Sequence, residues 1–294
     1  MVYLILCILS STGIFLVFKY IDRYQIPSFP VIVINYLTAA TLGYTLNRQA
    51  IDWSGLDGFG WIPVAVTIGI LFILMFFVIA ISSAKAGISI TTVASKMSVV
   101  FPITFSLFID PGDQLTVIKT TGIIAAIIGV LLTVWEPRNI AKTETRKITI
   151  PLLLFVGMGV VDSLVKFAQH RFVTNDDRAL FSAVLFSVAF LTGMVILPFR
   201  KKSHRWFYRK RVWFWGILLG TCNFGSIFFM VSALNFINPK GIGVDSSIIF
   251  GANNIGIVTL SVLAGLIIFS EKLRIVNWLG IGLSMIAILL FMIA

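Results

Sequence analysis

Ten times along the chain, a run of about twenty mostly apolar residues lies between short polar stretches, the length a helix needs to cross a bilayer. By apolarity the runs cover residues 2–19, 29–46, 61–84, 88–109, 115–135, 150–169, 179–199, 212–235, 244–269 and 275–293. In hydrocarbon a segment must satisfy its own backbone N–H and C=O groups, so runs of this length predict helices. The expected fold class is an all-α polytopic membrane protein with ten transmembrane helices. Composition closes off a soluble fold. Of the 294 residues 58% are hydrophobic and only 12% charged, and the mean hydropathy is +1.00. A soluble chain so poor in charge could not cover its surface. Ten spans use roughly 200 positions and leave roughly 90 for loops, which excludes a large domain outside the membrane. The first run begins at Val2 without a basic stretch before it or a small-residue cleavage site after it, so it is expected to remain as a span.

The formal net charge of +11 would suit a nucleic-acid partner, but the basic residues mostly occupy short loops between apolar runs. Membrane orientation explains that placement, and no nucleic-acid partner is expected. Alternate loops carry fifteen Lys and Arg on one side and four on the other. The rich set comprises Arg23, Lys85, four residues between 138 and 147, seven between 200 and 211, and Lys272 with Arg274. These loops are expected in the cytoplasm, which makes the chain a multi-pass protein of the inner or plasma membrane with both termini outside. The seven tryptophans lie at span ends or in loops, where an indole ring is buried and its N–H stays wet.

Enzyme readings fail on inventory. Cys7 and Cys222 both lie within apolar runs, and with two histidines they offer no zinc-ligand spacing and no disulfide framework. The chain has no phosphate-cradling Gly-x-x-x-x-Gly-Lys-Ser/Thr stretch, so it carries no ATPase of its own. It is expected to be no enzyme and to need neither cofactor nor metal.

Comparing the chain with itself at an offset of 158 residues brings 113–122 onto 271–280. An acid, a leucine two positions later and a glycine nine positions later recur: Asp113, Leu115 and Gly122 against Glu271, Leu273 and Gly280. Ser89-Ile90 falls on Ser247-Ile248, and Lys96 on Asn254. The expected halves are 1–136 and 150–294, joined by a basic linker at 137–149. Five spans each is an odd number, so the halves enter the membrane in opposite senses. Inverted repeats recur in secondary transporters, with the substrate near midplane between the halves.

Residues 269–273 read Phe-Ser-Glu-Lys-Leu and 277–280 read Asn-Trp-Leu-Gly. With five-plus-five spans, this resembles the drug/metabolite transporter superfamily, most closely its EamA-type branch. The family usually has Gly-Glu where this chain has Ser270-Glu271, and the first half has Asp113 in place of glutamate, a weaker match. The resemblance implies a ten-helix secondary transporter of small metabolites and names no substrate.

Charges near mid-bilayer cost on the order of 2.5–3.5 kcal/mol on insertion scales, so they mark candidate sites. Lys96 is about nine residues into the fourth run and Asp162 about twelve into the sixth, ~14 and ~18 Å at helical rise. Both runs start from the same side, so both residues sit near midplane, within reach of an approach to each other. There they either form an ion pair or face a substrate, Lys96 attracting an anionic group and Asp162 balancing it or carrying a coupling proton. Lys166, one helical turn from Asp162, is a rival partner. Asn223, Asn253 and Asn254 join the substrate-binding candidates, with bonding across helices as the alternative. Lys19 and Lys166 read as snorkelling span ends, and Pro102 as a kink in the fourth span. Asp113 and Glu271, each before a matched span, read as gates or as caps of helices five and ten. The expected function is transport of a small polar metabolite by alternating access, with lipid and a coupling proton or ion as other partners. The alternative is a membrane-embedded structural or assembly protein without transport.

Overall fold

In a computed structural model the described residues are 2–46, 62–109, 115–135, 145–171, 178–199, 203–234 and 246–293. They form eleven α-helices and two short 3₁₀ turns, and no strand is found among them. The helices are α1 (Val2–Arg23), α2 (Ser28–Leu46), α3 (Ile62–Lys85), α4 (Ile88–Met97), α5 (Val100–Ile109), α6 (Val117–Val134), α7 (Thr145–Arg171), α8 (Arg178–Ile196), α9 (Lys210–Leu234), α10 (Ser246–Ile267) and α11 (Ile275–Met292). α4 and α5 together make the fourth span, so the described residues hold ten spans long and apolar enough to cross a membrane. The protein is an all-helical, multi-pass membrane protein. One boundary differs from expectation. Helix α7 starts at Thr145 and so takes in the last five residues of the expected linker, ahead of a sixth span that runs Ile148–Ala168.

The helices pair across the chain's midpoint. α6 packs along α11, α2 on α8, and α4 on α10. α1 packs on α9 and α10, while α3 packs on α8 and α4 on α7. The outer surface is apolar, with Leu191, Leu279, Phe214 and Ile124 more than half exposed, which suits lipid rather than water. α6 and α11 approach most closely at two small residues. A Cβ on Gly129 would fall 2.9 Å from the Ser284 backbone nitrogen, and one on Gly280 would collide with the Thr133 backbone. Without a hydrophobic drive between helices in lipid, such close approach supplies the packing.

Neighbouring spans run in opposite directions, so the turns after α1, α3 and α10 share one face. It holds Arg23, Lys85, Lys272 and Arg274 and is called the basic face below.

Candidate functional site

The fourth span is broken because of Pro102. Proline has no N–H to give the carbonyl four residues back, and its ring crowds that oxygen. The Ser98 carbonyl instead accepts from Phe101 N–H at 2.9 Å, and α-helical bonding resumes from Ile103 N–H to Val99 O at 3.2 Å. The kink expected from the sequence is a complete interruption, with Lys96 on one side and Pro102 on the other.

Beside the break lies a cavity of about 580 Å³, walled by α4, α5, α7, α9, α10 and α11. The volume lies within the range of small-molecule sites. Its polar lining is Ser95, Lys96, Ser98, Asp162, Lys166, Asn253 and Asn254, and Met158, Phe250 and Phe291 are among its apolar walls. The lining comes from the early part of α10 (250–254), the end of α11 (288–292) and the second half of α7 (158–166). The cavity therefore occupies the half of the bundle away from the basic face.

Four of the five residues singled out for binding meet there: Lys96, Asp162, Asn253 and Asn254. Asn223 does not line it. Its side-chain amide lies 3.2 Å from that of Asn35, joining α9 to α2 in the bonding role polar residues often play between membrane helices.

Of the two alternatives for Lys96 and Asp162, the ion pair is not formed. The Asp162 carboxylate lies 2.8 Å from the Ser98 hydroxyl, which the break in the span holds against α7. Among the described residues no hydrogen-bond or ion-pair partner reaches the Lys96 ammonium. Lys166 is more than a snorkelling span end: it lines the cavity and donates to the Pro102 carbonyl at 3.4 Å. Asn253 is 3% exposed, yet its side-chain oxygen has no partner. Buried polar groups are almost always paired, so this oxygen beside a cavity is a ready acceptor for a ligand N–H or O–H.

A second polar cluster lies on the basic face around Glu271. Its carboxylate accepts from Ile88 N–H at 2.7 Å, Ser89 N–H at 3.2 Å and the Ser89 hydroxyl at 2.8 Å. The Lys19 ammonium stands 3.6 Å away and donates to the Ser83 carbonyl at 3.0 Å. Glu271 therefore caps α4 rather than the helix it precedes. The reason is Gly87, which turns the chain at φ 91° and leaves open the space where a Cβ would lie 2.6 Å from Glu271 Oε1. The start of α11 is served by Asn277, whose side-chain oxygen accepts from Arg274 N–H at 2.9 Å. The Asn277 amide also donates to Thr133 O at 2.7 Å and Trp135 O at 3.1 Å, closing the end of α6. Asp113 lies outside the described residues.

Sequence reasoning missed Ser98 and Asn35. Ser98 carried a signal, since it stands four residues before Pro102 and so owns the carbonyl that proline releases. Asn35 carried none, because which asparagine faces which depends on helix rotation.

Fold and cavity together define a multi-pass helical membrane protein with a polar chamber in its bundle. No protein-family model matches the chain. An uncharacterized protein of Haemophilus influenzae is 26% identical to it over 292 residues, 97% of this chain and 95% of that one. A solved crystal structure of a protein superposes with a TM-score of 0.57 at 14% identity, over 98% of this chain and 94% of that one. At that identity the likeness is one of fold.

Proposed function

We propose that the chain is a secondary transporter of the inner (plasma) membrane, of the EamA-type branch of the drug/metabolite transporter superfamily. It carries a small polar metabolite with an anionic group by alternating access. The observation behind this reading is the Lys96 ammonium, facing a cavity at membrane depth with no hydrogen-bond or ion-pair contact among the described residues and only the more distant Asp162 to balance it. A charge so placed is costly, and an anion from solution completes it. Asn253 adds an acceptor for a donor group on the same molecule. Asp162, held by an uncharged serine, is free to carry a coupling proton.

The helix pairing supports the inverted repeat. Exchanging each span for the one five later turns α1 on α9 into α7 on α3, and α2 on α9 into α8 on α3, and both pairs are packed. A cavity on one side of midplane with a closed bundle on the other suits one of two exchange-related states. The positive-inside rule puts the basic face in the cytoplasm, so this state faces outward.

The test is a screen of small organic anions for thermal stabilisation of the purified protein in detergent. A ligand at a hundred times its dissociation constant adds about 2.7 kcal/mol, easily seen in a melting curve. Lys96→Gln is expected to abolish the shift while the variant still melts cooperatively, and saturable counterflow in proteoliposomes should follow the same ligand. A protein that no anion stabilises and that gives no counterflow would be a structural or assembly component, its polar groups serving only to join helices.

A further inference from the structure

Between the cavity and the basic face the bundle is closed, yet its interior there is polar. Thr12 on α1, Ser83 on α3, Thr92 on α4 and Ser261 on α10 are at most 4% exposed, and none of their hydroxyl oxygens has a hydrogen-bond partner. Each of these helices packs against at least two of the others. Four unpaired hydroxyls in one seam are costly to a bundle that never opens, because buried polar groups are normally satisfied.

The register of α4 against α10 locates the seam. A Cβ on Gly265 would fall 2.5 Å from the Ser89 hydroxyl, so these residues face each other near the basic face. The helices run antiparallel, and one turn deeper they bring Thr92 and Ser261 to the same level. At the repeat offset of 158 residues, Thr92 corresponds to Phe250 and Ser261 to Ile103. Phe250 and Ile103 both line the open cavity. Two of the unpaired hydroxyls thus stand where the opposite half has cavity wall.

The closed end is held by one carboxylate. Glu271, from the turn before α11, engages two backbone amides and a hydroxyl at the start of α4, and lies against the ammonium of Lys19 on α1. Three spans separated in sequence are tied at one point.

We infer that this seam is the closed cytoplasmic half of the substrate path and that Glu271 is its latch. The inference rests on the transporter reading and adds which helices part and what holds them. In the alternate state α1 and α3 separate from α4 and α10, and Thr92 and Ser261 become wetted walls. The donors that Glu271 vacates are suited to an anionic group of the cargo.

The experiment replaces Cys7 and Cys222 with serine, introduces Ser261→Cys, and applies an impermeant maleimide to vesicles with the basic face outward. Labelling is expected to be slow with the latch intact and at least fivefold faster in Glu271→Gln. Lys19→Gln breaks the latch from the other side, leaves the α4 cap in place, and is expected to act in the same direction. In both variants, labelling of Asn254→Cys from the opposite face should slow in parallel. Unchanged labelling at position 261 in both latch variants overturns the inference. Transport is read separately, by ligand stabilisation and counterflow, so intact counterflow with a position 261 that never labels removes the seam and leaves the transporter standing.

Discussion

Ser98 has one hydroxyl proton and two acceptors within reach, the Ser95 carbonyl at 2.6 Å and Asp162 at 2.8 Å. Both contacts are hydrogen bonds at once only when Asp162 brings a proton of its own. A protonated Asp162 also removes a negative charge from the cavity that Lys96 lines, and that favours an anion. Removing one negative charge about 8 Å from a bound anion, at an effective dielectric of 20, is worth on the order of 2 kcal/mol, roughly thirtyfold in affinity. Binding of an anionic ligand is therefore expected to strengthen as pH falls and Asp162 takes up its proton. In Asp162→Asn it should hold the low-pH affinity throughout. Isothermal titration across a pH series checks this, and an unaltered pH profile in the variant would remove Asp162 from the coupling. At this scale the sequence was partly legible. Lys96 and Asp162 stand out because lipid makes charge expensive, whatever the packing. Their partners did not, since a hydroxyl such as Ser98 costs little anywhere and only the break beside it brings it to α7.

The helices themselves were readable as apolar runs, because length and hydropathy suffice where every backbone bond is internal. What the runs do not carry is which faces touch. α6 and α11 meet through Gly129 and Gly280, while Gly282, two residues on, has open space where a Cβ would go. Gly280→Ala is expected to destabilise the protein by about 1–3 kcal/mol through overpacking against Thr133. Gly282→Ala should be neutral or slightly stabilising, since alanine is the better helix former. Melting temperatures of the two variants in the same detergent test the pair, and equal losses would mean that the α6–α11 contact is looser than described. The capping of α4 by a residue 183 positions away was likewise invisible. The acid at 271 was visible, but proximity in sequence pointed to the helix it precedes.

For the molecule as a whole, the charge asymmetry of the loops sets orientation. Tyr208 lies within the basic stretch at 200–211 and is 86% exposed, so a cysteine there reports the side without disturbing packing. In a background lacking Cys7 and Cys222, Tyr208→Cys is expected to resist an impermeant thiol reagent on intact cells and to react once the membrane is permeabilised. Ready labelling of intact cells would invert the orientation and put the open cavity on the cytoplasmic side. The number and order of the spans could be read from the sequence. The chamber's confinement to one side of midplane could not, because it depends on how the helices pack, which apolar runs do not carry.

The clasp on α4 also has a meaning for how the chain is made. The first amide of α4 finds its acceptor only after another 183 residues have been added. At ordinary rates of synthesis, ~5–20 residues per second, that is a wait of about 10–40 s. The last helix made, α11, likewise supplies the neighbour that α6 packs along. An emerging chain therefore holds its fourth and fifth spans in the bilayer with their final neighbours still on the ribosome. Nascent chains arrested before position 271 should be the ones that membrane proteases find.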